Sequence, residues 1–599
     1  MALLDEEKIQ YFVRAWHEEH ARIEPARRPD YERKREALLL SLQPDDRRRL
    51  HEIAPFPLIL TMMAVVHTHY GELPDTRAQV YEKCVDLLLV RWELERPAAG
   101  QSSSQTQKRT ILDALNVTQA ALYRALAEVA FSAHAGRADG ENQRGPALVT
   151  EELLTSKLHA HLQDLSKVQI FLDYCQSSNG LLMLQGTVSV PDAPEGTPPR
   201  QVYAFPHLTF EEYLAALYLS MTPNFGKFTR DLVRQSDRWR EVVLLLGEKL
   251  CFTGVGDQER MDTLLGCLSP ERFPERPKED DWRAIWLAGD LLTLYARAFT
   301  NETAPALERT QTRLYRLVEI CALEPKARAA AADALDELGF VPQDLFDFVE
   351  IGADPARFYI AKYPVTNAQY ARFLQAENFA NRSLWEGFPK LAEPEGNYKP
   401  IGDWGSQGWD WLQTQKIENG VLLPRYWQDA RFGARRAHAP VVGVSWYEAN
   451  AYCRWLLANW EKLEEGQRGL ARPAQLRLPT EAEWIAAAGG EEKGRFAFGE
   501  LQDPEKEIPR YANTSESQIN RTTPVWMYPQ GASPSNVMDL SGNVWEWQAN
   551  YRDKNHDVLF LRGGSWDSDQ VPARVSDRYI NLPLNGSSII GFRILALPS

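Results

Sequence analysis

Cysteine is scarce in this chain: 599 residues hold six, Cys84, Cys175, Cys251, Cys267, Cys321 and Cys453. No pair stands in a CxxC spacing and no histidine cluster accompanies them, so buried structural thiols are expected rather than a metal or dithiol centre. None follows Cys453. A G-x-x-x-x-G-K-[ST] loop is also missing; the nearest fragment, Gly226-Lys227-Phe228-Thr229, lacks the first glycine and the adjacent hydroxyl. Without that nest of backbone N–H groups and its lysine a triphosphate has no cradle, and no ATP is expected to bind. A net charge of -15 with no basic run to offset it argues against nucleic acid or an anionic membrane as partner. The longest apolar run, Phe56 to Val66, is too short to span a bilayer, and no signal peptide precedes Asp5, so a cytoplasmic location is expected.

What is present reads as an α+β multidomain chain, since its length exceeds what one core organises. The N-terminal half is mostly α-helical. Ile9, Phe12, Val13 and Trp16 recur at helical spacing behind an acidic first turn, and further helices are expected over Thr76–Trp92 and Ile111–Ala135, separated by the polar loop 101–107. The run Ala327 to Gly339 reads as a helix with a glycine C-cap, resembling one helical-repeat unit. Near Val341 tryptophan, glycine, proline and asparagine become frequent, which marks a loop-rich domain. In that domain Thr366, Ser445 and Thr480 stand as N-caps, the last with Glu483 as a capping box. Behind Ser445, the residues Ala449, Tyr452, Cys453 and Leu456 share an inward helix face.

Two phrases of the N-terminal half resemble NACHT-type signal-transduction ATPases. Pro55 to Met62, with GELPDTRAQVYEKCVDLLLVRWE, is similar to the helical subdomain behind their nucleotide-binding core; Phe205 to Ala216 is similar to their winged-helix motif. The resemblance implies a helical subdomain over 1–135 and a winged-helix-like region over 136–222; behind them the residue pattern itself reads as a helical, repeat-like region over 223–345. It would place Pro57 against an adenine and His207 near a phosphate. Read from the residues alone, Pro57 is a helix N1 proline and His207 a partly buried histidine ahead of an amphipathic helix.

Five ordered phrases of the C-terminal half, Phe358 to Tyr370, Pro440 to Ala449, Arg477 to Trp484, Asp539 to Trp547 and Arg562 to Trp566, resemble the formylglycine-generating-enzyme domain, a C-type lectin fold, over 350–599. The resemblance implies calcium at the turn of Asp539, Gly542, Val544 and Glu546, where carboxylates and carbonyls mix as a hard cation requires. A second site near Asn513 and Thr514 has Ser517 where an acidic partner would stand. The family's oxidase activity needs cysteines after the Gly-Gly-Ser-aromatic strand; none is there, so copper is not expected. Sulfoxide-synthase relatives need an iron-binding histidine cluster, and none of suitable spacing occurs.

The final segment, about 561–593, has a second resemblance. Gly563-Gly564-Ser565-Trp566, Gln570, Ala573-Arg574, Arg578, Pro583 and Ile590-Gly591-Phe592-Arg593 are similar to the framework of variable proteins of diversity-generating retroelements. In those, asparagine codons of a template are randomised at their adenines. The variable set would be Asp567, Ser568, Asp569, Val571, Pro572, Asp577, Tyr579, Ile580, Asn581, Leu582, Leu584, Asn585, Ser587, Ser588 and Ile589. Randomising both adenines of an AAY codon never yields Lys, Glu, Gln, Met or Trp, and none of these occurs in the set. Val575, Ser576 and Gly586 depart from the commonest framework. Short polar and aromatic residues suit an adaptable paratope.

The reading is a non-enzymatic protein that displays a diversified surface to protein or other macromolecular ligands. A NACHT-like helical module is linked to it, a candidate for self-association or for contact with a partner ATPase. The alternatives are a formylglycine-generating-type oxidase or its degenerate regulator, and a sensor or assembly part of a signalling or defence ATPase.

Overall fold

The computed structural model describes residues 4–598 apart from 44–47, 92–109, 138–144, 178–180, 189–198, 253–256, 296–303, 354–355, 393–398, 468–469, 493 and 552–557. The polar loop 101–107 and Trp92 lie outside the described residues. The chain divides into two compact units, Met1–Phe273 with Arg297–Thr303, and Pro274–Ala296 with Ala304–Ser599.

The first unit opens on the helix Glu6–Ile23, capped by the Asp5 side chain accepting from Lys8 N, with Ile9 and Val13 buried. Thr76 and Gln79 close a capping box on the helix Arg77–Asp86, which runs on as a π-helical turn, Leu87–Arg91. The helix expected over Ile111–Ala135 is broken. Asn116 takes φ 48° after Leu115, and Thr118 caps a new helix, Gln119–Ala135. Asparagine tolerates the left-handed region, and a threonine cap two residues on restarts the helix, so the apolar period continues across a break it does not reveal. A three-stranded antiparallel sheet follows, with order β1 (Val149–Thr150), β3 (Arg200–Ala204), β2 (Met183–Val188). The helix Leu208–Met221 leads out of it.

The second unit begins with helices, so the helical region expected over 223–345 is shared between the units. Glu279–Tyr295, Ala304–Glu319 and Pro325–Glu337 pack on one another. The last of them is tied to the loops of the C-terminal domain by charge. Asp333 pairs with Arg436 at 2.6 Å and with Arg521, and Asp336 accepts from the His438 ring. Arg328, buried, donates to the Pro509 carbonyl and lies 5.2 Å from the Tyr528 ring centre.

Two sheets organise the rest. One has the order β4 (Phe348–Ile351), β5 (Phe358–Ala361), β13 (Leu595–Leu597), β8 (Gln475–Arg477). The other runs β11 (Arg578–Asn581), β10 (Leu559–Arg562), β9 (Trp545–Tyr551), β6 (Pro389–Ala392), β7 (Lys399–Asp403), with β12 (Ile590–Gly591) parallel to β9. Between them lies an aromatic core. Trp446, on the helix Trp446–Ala458, donates Nε1 to Gln548 O at 2.9 Å, and Trp547 of β9 donates to Val444 O at 3.1 Å, so each indole locks the other's element. Ala449, Tyr452, Cys453 and Leu456 are all buried on that helix, as their spacing predicts. The Thr366, Ser445 and Thr480 caps form, each as a full capping box, although the helix behind Thr366 is only Asn367–Ala371.

Candidate functional site

Two buried arginines bracket the final segment. Arg562, at the end of β10, sends Nε to Glu481 at 2.7 Å and Nη1 to the carbonyls of Val575 at 2.8 Å and Asp577 at 3.3 Å. Arg593 holds Glu546 with Nη2 at 2.7 Å and donates to the carbonyls of Ala361, Lys362 and Met538. Both guanidiniums are thus used to fasten main chain, the role their planar fork of donors suits. Gly564 packs so closely that a Cβ there would lie 2.8 Å from Ala573 Cα, which fixes the start of the loop against its return.

Between these anchors the frame is buried only in part, Trp566, Gln570 and Arg574 being half-buried and Arg578 exposed, while the variable set lies wholly outside the core. None of its members, from Asp567 to Ile589, is buried; Gly563, Gly564, Ser565, Ala573, Pro583, Ile590, Phe592 and Arg593 are. The members are held largely by their own main chain. Ser568 O accepts from Ser515 N at 2.8 Å, Ser587 O from Gly443 N at 3.0 Å, Ser588 O from Trp566 Nε1 at 3.0 Å and Ile589 O from Trp545 N at 2.8 Å. A carbonyl is the same whatever side chain its residue carries, so these bonds survive substitution. The side-chain bonds are mostly local: Asn585 Nδ2 donates to Asn581 Oδ1 at 2.8 Å, and Asp569 accepts from Val571 N at 2.8 Å. The Ser568 hydroxyl reaches the frame, accepting from Ser565 N at 3.2 Å.

Two of the three departures from the framework have physical reasons. Val575 is fully buried and bonds Arg495 O through its N–H. A Cβ on Gly586 would stand 2.5 Å from Gly443 O, so glycine is required there and the position belongs to the frame. Ser576 is half-buried, and nothing in the structure explains its identity.

The turn for which the resemblance implies calcium is closed by hydrogen bonds. Glu546 is fully buried, and its oxygens are taken by Arg593 and by Trp484 Nε1 at 2.9 Å. Its cation is a guanidinium 47 residues away in the chain. Gly542 O accepts from Val544 N at 2.9 Å, and Asp539 accepts from Asn543 Nδ2 at 2.8 Å, its carboxyl pushed up to about 7 by burial. Both carboxylates thus have protein partners in this arrangement, Asn543 for Asp539 and Arg593 with Trp484 for Glu546. At the second position Ser517 Oγ donates to Thr514 O at 2.7 Å and lies 3.1 Å from Asn513 Oδ1. Among the described residues no group of three or more His, Cys, Asp or Glu is placed to hold a metal.

Pro57 is the first residue of the helix Pro57–Tyr70, and His207 is the N-cap of Leu208–Met221, its ring accepting from Thr209 N at 3.3 Å. Burial holds the His207 imidazole below its usual range. Sequence reasoning missed the residues that support the display loop from outside, Gly443, Ser515 and Glu516, the last accepting from Gln570 N at 2.7 Å. Only the paired glycines Gly443 and Gly586 left a trace in the sequence.

Comparison with known proteins follows this division. The family profile described as "Sulfatase-modifying factor enzyme 1-like domain" matches residues 351–597, and "Winged helix-turn-helix domain C-terminal to NACHT" matches 77–219. The second takes in the helix Arg77–Asp86 along with the three-stranded sheet. "Inactive C-alpha-formylglycine-generating enzyme 2" of Mus musculus is 32% identical over 277 residues, 40% of this chain and 78% of that protein. "Formylglycine-generating enzyme" of Streptomyces coelicolor is 29% identical over 277 residues, 39% of this chain and 77% of that one. Among solved structures, "Treponema denticola variable protein 1" is 19% identical with a TM-score of 0.26, covering 42% of this chain and 92% of that one. Among the described residues no helix is long and apolar enough to cross a membrane. By the identity and coverage of the mouse relative, and by the profile over 351–597, this chain, a mixture of helix and sheet with a C-type-lectin-like domain at its C-terminal end, belongs to the formylglycine-generating-enzyme family.

Proposed function

We propose that the chain is a non-enzymatic binding protein whose segment 561–593 displays a retroelement-diversified surface to protein or other macromolecular ligands. The observation that carries this reading is the placement just described: every member of the variable set reaches solvent, and several are held through main-chain carbonyls. Such a loop keeps its shape while its side chains change. The NACHT-associated winged helix supports a signalling role for the first unit, through self-association or a partner ATPase.

The oxidase alternative has less to stand on. No cysteine follows Cys453, and Cys453 itself is fully enclosed in the core, its thiol pushed far above the usual range by burial. A thiol there is neither ionised nor reachable.

Randomising the variable set with NNY codons in the full chain tests the proposal. Most members of that library should fold with cooperative thermal transitions close to the parent's. A matched library at Gly564, Ala573, Val575, Pro583, Gly586 and Phe592 should mostly fail. Equal failure of both libraries would overturn the reading.

A further inference from the structure

β11 is an edge strand. Its inner side pairs with β10 over Arg578–Asn581 without a register shift, and among the described residues no strand lies on its outer side. An edge strand turns alternate N–H and C=O groups outward, a template for another extended chain. Proteins usually blunt such an edge with proline, bulges or charge; β11 has no proline and no bulge, and its one charge, Arg578, stands at its first residue. The edge is also continuous with exposed apolar surface. Tyr579 is 46% exposed, and the turn that follows leaves Leu582 42% and Leu584 51% exposed.

Resting on the reading above, we propose that a protein ligand is taken by strand addition: an extended peptide segment pairs main chain to main chain with the outer edge of β11. Tyr579 and Asn581 on one face, Ile580 on the other, and Leu582 and Leu584 at the end select its side chains. The Tyr579 face rests on fixed structure, its ring centre 5.7 Å from that of Trp545. Strand addition divides the work in the way a diversified site needs. The main-chain bonds are the same for every variant and supply a constant share of affinity, while the randomised side chains supply the choice. A glycan has no alternating N–H and C=O row to offer this edge, so the ligand class is polypeptide.

The probe is a linear peptide selected from a random phage-displayed library on the full chain, then resynthesised with single N-methyl groups at each position. Methylation should weaken binding at every second residue over the paired stretch, by about tenfold for each net hydrogen bond lost, and leave the residues between unaffected. Hydrogen exchange at 578–581 should slow on binding. Loss of binding by Leu582→Ala/Leu584→Ala without any alternation would overturn strand addition and leave the displayed surface standing. Indifference to both methylation and those substitutions would overturn both. A library that yields no binder, or a chain that self-associates through 578–581 instead, would also overturn the proposal, the latter making the occupant a second copy.

Discussion

Gly586 separates frame from surface at the resolution of one methyl group. Gly586→Ala places Cβ against Gly443 O and should cost about 1–3 kcal/mol in urea unfolding, whereas Asn585→Ala next to it should stay within about 0.5 kcal/mol. Equal effects would mean that the turn yields and does not constrain. Arg593→Met, which strands the buried Glu546 carboxylate, should cost about 3–5 kcal/mol by the same measurement. Asp539 makes a prediction about pH. Its carboxyl stays protonated in the fold up to about 7, chiefly through burial, whereas in the unfolded chain it ionises near 4. Between those values the folded state binds the extra proton, so the stability this group contributes is complete below about pH 4 and is lost as pH rises through about 7. Asp539→Asn keeps the acceptor for Asn543 and suits the residue's φ of 56°, and should flatten the decline. An unchanged slope would contradict the assignment. Glu448, also pushed to about 7 by burial, adds to the wild-type decline with the same sign and remains in the variant.

At the scale of elements, the N-caps at Thr366, Ser445 and Thr480 were legible because a hydroxyl ahead of a helical period satisfies its first amide groups, and the box at Thr480 because Glu483 stands three residues on. The pairings of β9 with β12 and with β6 were not, since parallel neighbours distant in sequence leave no local trace. The same holds for Glu546, whose spacing fits a metal turn while its actual partner, Arg593, is set by how β9 and the segment after β12 come together. The helix Pro325–Glu337, most of the run that resembles a repeat unit, has its acidic face matched to Arg436, Arg521 and His438. Asp333→Ala leaves two largely buried guanidiniums without their carboxylate and should cost about 2–3 kcal/mol. A fragment starting at 350 should melt below one starting at 274; equal melting temperatures would make the helices an independent layer.

For the whole molecule, the order of phrases from Phe358 to Arg593 was enough to read the C-terminal fold, and the winged helix was legible in the phrase around His207. The division of the helical region between two units was not, because amphipathic helices state that a face is buried and not against what. On the proposed function, the surface of 561–593 varies while its frame does not. Sequencing this locus across a clonal population tests it most directly. Substitutions should be confined to the variable set, from Asp567 to Ile589, and never be to Lys, Glu, Gln, Met or Trp, with Arg562, Val575, Gly586 and Arg593 constant. An invariant segment, or changes scattered equally through the frame, would contradict it.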